Sequence, residues 1–170
     1  MKTENLGNYP YYVERYLALI QEDDLFIAFE NQGNIIVDLF AKIEAEKAST
    51  SYAPGKWTIK ELVQHCIDAE RIFCYRALCF ARKETTSLPG FDENQYAANS
   101  FANEREWESI IYEFFIVREA TKTLFESFQT SSMQSSGIAN GNESSVISIG
   151  FLILGHFQHH INIIKERYLV

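Results

Sequence analysis

The stretch from Gly155 to Leu169, GHFQHHINIIKERYL, sets His156 and His160 four residues apart inside an apolar-periodic run. On a helix that spacing turns the side chain by only about 40°, so both imidazoles leave one face, one turn apart. Stepping back from His160 gives His156, Ile153, Ile149 and Val146, an unbroken apolar row. The face carrying the histidines is therefore the face that must be buried, and another element has to cover it. The neighbouring row, with His159, Gly155, Leu152, Ser148 and Ser145, is small and polar and suits a helix flank or a subunit contact.

The remaining histidine, His65, lies in a second well-marked helix. Thr58 and Glu61 form a T-x-x-E capping box, and Trp57 with Leu62 supplies the apolar staple around it. The stripe Leu62, His65, Ala69, Ile72 and Phe73 places His65 on the core side. A buried histidine is ordinarily a hydrogen-bonded core residue. Three imidazoles at apolar positions on two helices repeat a costly choice, because each needs a polar partner. One metal ion satisfies all three and keeps positions open for an exogenous ligand. Nitrogen ligands do not identify the metal: zinc and nickel are the leading fits, with iron or manganese next. A di-iron carboxylate site needs Glu-x-x-His pairs, and the chain has none. Asp68, at i+3 from His65, is a candidate to orient a ligand or to act as a base. Glu61 shares that side, but its cap already accounts for it.

The remaining periodicity predicts four long helices and hence an all-α, four-helix bundle in one domain over residues 1–170. Residues 1–24 form an N-terminal extension or short helix, with the first ten polar and turn-like. The long helices are expected at about 25–47, 58–82, 103–128 and 143–168, the third opened by a capping box from Asn103 to Glu106. Between them lie a Pro54-Gly55 turn, a long connection at 83–102 suited to a wall or lid over a site, and a polar loop at 129–142.

Net charge is −8 and no basic run occurs, which argues against nucleic acid and against an anionic membrane surface. The start of the chain lacks the apolar region of a signal peptide, and the stretch Val146 to Phe157 is short for a bilayer and reads as a core helix. Cys66, Cys74 and Cys79 make no C-x-x-C pair and read as reduced, packed thiols. A cytoplasmic protein is expected.

Three segments in order, PGKWTIKELVQHCIDAERIFCYRAL, LPGFDENQY and GHFQHHINIIKERYL, resemble the DinB-like (DinB/YfiT) superfamily across Tyr52 to Leu169. The resemblance implies an up-down-down-up bundle, commonly a homodimer, with a three-histidine divalent metal site at one end. Its ligands carry over to His65, His156 and His160. It further implies a small-molecule substrate and a low-molecular-weight thiol as co-substrate, in thiol S-transfer or metal-assisted hydrolysis. A metal- or ligand-binding bundle without turnover is the alternative.

Overall fold

The computed structural model describes residues 11–170; the turn-like reading of residues 1–10 lies outside them. Helix α1, Tyr11–Leu17, precedes the first long helix α2, Leu25–Phe40, which is capped by Asp24 accepting from the amides of Phe26 and Ile27. A short α3, Ala45–Ala48, leads to α4, Ile59–Ala81, whose Thr58–Glu61 capping box is formed in both directions. Helix α5, Glu93–Asn99, and a 3-10 turn at Ala102–Glu104 come before α6, Trp107–Glu126. Then follow α7, Thr130–Met133, the hairpin strands β1, Ser136–Ala139, and β2, Asn142–Ser145, and finally α8, Val146–Ile163, which passes into a π turn, Ile164–Tyr168. The long helices α2, α4, α6 and α8 form the bundle, with α4 packed on both α6 and α8, and α1 laid along α8. The span Val146–Tyr168 is long and apolar enough to cross a membrane, but most of it is buried within the fold.

Four local expectations are revised. The first long helix ends at Phe40 instead of Lys47: the amides of Lys42 and Ile43 turn back to the carbonyls of Leu39 and Phe40 in tighter i→i−3 bonds, and Ala45–Ala48 forms a separate short helix. The third begins at Trp107. Asn103 makes no cap there, since its side chain accepts the Thr58 hydroxyl at 2.7 Å, and Glu106 sits at the cap without a side-chain bond. The 83–102 connection contains α5, started by Asp92. The 129–142 loop holds α7 and most of an antiparallel hairpin, turned at Asn140-Gly141 with φ of 49° and 74°, the two positive values a two-residue I′ turn requires.

The core falls into two apolar clusters. One gathers Leu25, Phe29, Phe80, Phe125 and Phe151; the other gathers Ile36, Phe40, Ile67, Phe114 and Phe157. Between these levels runs a buried polar layer contributed by all four long helices. Arg118 pairs through two nitrogens with both oxygens of Glu70, at 3.0 and 2.9 Å, and donates to Gln32 at 2.9 Å. Gln32 donates to the carbonyl of Leu154, and Thr121 donates to Glu70. The guanidinium also lies over the rings of Phe29, Phe114 and Phe157. Every strong donor and acceptor in the ion pair is thereby occupied, the condition under which such a buried pair is tolerated.

Candidate metal centre

Helix α4 presents His65 and α8 presents His156 and His160, all buried. The Nε2 atoms of His65 and His156 are 3.0 Å apart, and those of His160 and His156 are 3.2 Å apart. One nitrogen from each ring lies within 4.8 Å of the others. Three nitrogens at ~2.0–2.1 Å from one ion, with angles of ~90–110° at the ion, stand ~3.0–3.4 Å apart, so the two close pairs have the separation of co-ligands.

The rings cannot satisfy one another. Neutral imidazole has one N–H and one lone-pair nitrogen. The Nε2 of His156 faces two other Nε2 atoms, and with a single hydrogen or lone pair it makes one good bond at most. Among the described residues the Nδ1 of His160 is also buried without a partner. The crowding at His156 Nε2 marks a cluster completed by a further group, and a divalent cation fits the donor set.

The rings are also held in the form that binds cations. Burial lowers the pKa of His65 to about 4, against an opposing charge from Glu93. Burial, then the neighbouring His65 and His159, lower that of His156 to about 3. Burial first, and the adjoining histidines after it, put His160 well below the ordinary range. All three are therefore neutral at pH 7, with lone pairs available. Aromatic rings close the surroundings: Trp57 tilts against His65 at 4.9 Å, while Tyr16 and Phe73 meet His156 edge-on at 5.6 and 5.9 Å.

His159 lies outside this group. It is half-buried and stacks against Tyr16 at 5.2 Å on the α1 side. Asp68 also points elsewhere: its carboxylate accepts from Gln64 at 3.0 Å and lies 4.0 Å from Arg71, lining a cleft against α5. The carboxylate whose charge acts on His65 is Glu93, in the first turn of α5. The expectation of a wall or lid at 83–102 named neither α5 nor Glu93. The Asp92-Glu93 pair ahead of a short polar helix was the signal.

A cavity of about 260 Å³ opens beside the centre. His160 lies on its lining, together with Trp57, Leu62, Ile163, Tyr168 and Lys56. The Tyr168 hydroxyl donates to the Trp57 carbonyl at 2.6 Å and its pKa is pushed up to about 12, chiefly by burial, so it stays a neutral donor that ties the 52–57 turn to the end of α8.

Comparison with known proteins agrees with this architecture. The model of the DinB superfamily matches residues 28–164. Among solved structures, YfiT from Bacillus subtilis, described as "a probable metal-dependent hydrolase with an unusual four-helix bundle topology", superposes with a TM-score of 0.68 at 13% identity. The match covers 94% of this chain and 88% of that one. No curated protein sequence matches.

Proposed function

The chain belongs to the DinB superfamily, and from that membership we propose that His65, His156 and His160 hold one divalent metal ion and that the centre acts on a small molecule. The observation carrying this is the Nε2 of His156, confronted by two other Nε2 atoms at 3.0 and 3.2 Å that it cannot serve together. When bound, such an ion supplies Lewis acidity that lowers the pKa of a thiol or water. The chain does the rest. The three neutral imidazoles offer lone pairs, Trp57, Tyr16 and Phe73 keep bulk water from the rings, and the cavity beside His160 admits the reactant.

The reaction class in this reading is thiol S-transfer or hydrolysis, with zinc or nickel the first candidates for the metal. The description of YfiT supports hydrolysis in that protein. Turnover of an electrophilic chromogenic substrate, measured with and without a panel of low-molecular-weight thiols, separates the two. Activity abolished by a chelator and restored by metal is expected; chelator-insensitive activity would refute the reading. A non-catalytic metal-binding bundle is favoured by one observation: among the described residues no carboxylate hydrogen-bonds a ring of the triad. Stoichiometric metal without turnover across the panel would select it.

The same reading includes a cytoplasmic homodimer. The exposed apolar side chains Ile27 and Val37 on α2 and Tyr112 and Ile116 on α6 support the dimer. Sedimentation showing only monomer at micromolar concentration would exclude it.

A further inference from the structure

The cavity beside His160 has a mixed lining, in which Tyr52, Asn94 and Tyr168 add polar groups to those of His160 and Lys56. Leu62, Ile163 and the ring of Trp57 provide apolar wall. Lys56 is exposed, and among the described residues its ammonium has no hydrogen bond or ion pair. In a chain of net charge −8, a cation left without a carboxylate at the edge of a cavity is notable.

The turn that carries it is constrained. Ser51 and Thr58 pair across its base, the amide of Lys56 donates to the carbonyl of Ala53 at 3.2 Å, and Tyr168 holds the carbonyl of Trp57. Gly55 has φ of 74° with open space around it, so the bend depends on the left-handed conformation that glycine adopts without strain. The backbone thus anchors the stem of Lys56 at the cavity edge, and ordering its side chain on a ligand costs conformational entropy.

Building on the metal reading above, we propose that this cavity selects small bifunctional anions. Such a ligand has a metal-seeking head, a short apolar body and a carboxylate-like tail that meets Lys56. A cavity of about 260 Å³ lies just below the usual range of ~300–1,000 Å³ for ligand pockets, which restricts the ligand to a compact molecule.

The test uses cobalt-loaded full-length protein and a series of ω-mercaptocarboxylates of two to six carbons, each paired with its neutral amide. The thiolate-to-cobalt charge-transfer band reports binding without turnover. One chain length of the acids should bind up to about fivefold more tightly than its amide, the upper end of the scale for an exposed charge pair. Lys56→Gln should remove that preference while leaving the amides and the cobalt d–d bands unchanged, and Lys56→Glu should reverse it. Equal binding of acid and amide at every length, or a preference surviving Lys56→Gln, would overturn the proposal while leaving the metal reading intact. Absence of cobalt d–d bands in the unsubstituted protein would overturn both.

Discussion

His65 and His156 are 91 residues apart in the chain, yet their Nε2 atoms stand 3.0 Å from each other between two helices. That approach follows from the packing of α4 against α8, and of the two contacts at His156 Nε2 only one can be a hydrogen bond between neutral rings. It is sustained by a buried, aromatic-lined site in which both rings remain uncharged. The consequences extend from metal affinity to the acid stability of the whole bundle.

Replacing His65, His156 or His160 by Ala should each abolish tight metal binding, because two imidazoles are an inadequate set. His159→Ala should retain the metal, with at most roughly a ten- to hundred-fold loss through disturbed ring packing. Competition with a chromophoric chelator measures all four. Metal lost from His159→Ala and retained by His160→Ala would mean the wrong face of α8 had been assigned.

The metal-free protein should lose stability in mild acid. All three triad pKa values are lowered on folding, to about 4 for His65 and about 3 for His156, so below the unfolded value near 6.5 the unfolded chain binds more protons. Stability is therefore full above about pH 6.5 and declines as pH falls, by up to about 1.4 kcal/mol per pH unit for each histidine. Thermal unfolding between pH 7 and 4.5 measures this; a Tm unchanged over that range would contradict it.

The capping box of α4, the turn at Gly55 and the histidine row of α8 were all legible in the sequence, because each has a local pattern with its own physical cause. The hairpin had a signal too, Asn140-Gly141, but the surrounding serines gave no alternating apolar strand to frame it. The polar layer had none. Gln32, Glu70 and Arg118 read singly as solvated residues, and only the assembled bundle brings them to one level. The Asp92-Glu93 pair signalled the start of α5 but not the relation of Glu93 to His65, which depends on where a connecting segment returns to the bundle.

Glu70→Ala should cost roughly 3–5 kcal/mol, because it strands a buried guanidinium. Replacing Glu70 by Leu and Arg118 by Met together should recover much of that loss. Urea unfolding of the two variants decides it; a single mutant no less stable than the double would contradict the assignment of Arg118 as dependent on Glu70.

Two glycines should respond in opposite senses. A Cβ at Gly155 would collide with the backbone carbonyl of Tyr16, so Gly155→Ala should displace α1, cost on the order of 1–3 kcal/mol and hasten proteolysis within residues 11–17. Gly33, inside α2, has nothing within 4 Å of an added Cβ, so Gly33→Ala should stabilise by about 0.5–1 kcal/mol. Equal effects at the two sites would rule out the close approach of α1 to α8.

The central claim, three imidazoles on one ion, is tested most directly by X-ray absorption at the metal edge of untagged protein carrying one equivalent of zinc. The expected spectrum has a nitrogen and oxygen first shell at ~2.0–2.1 Å with the outer-shell scattering of three imidazoles. An oxygen-dominated shell, fewer than three imidazoles, or failure to retain the zinc through gel filtration would contradict it.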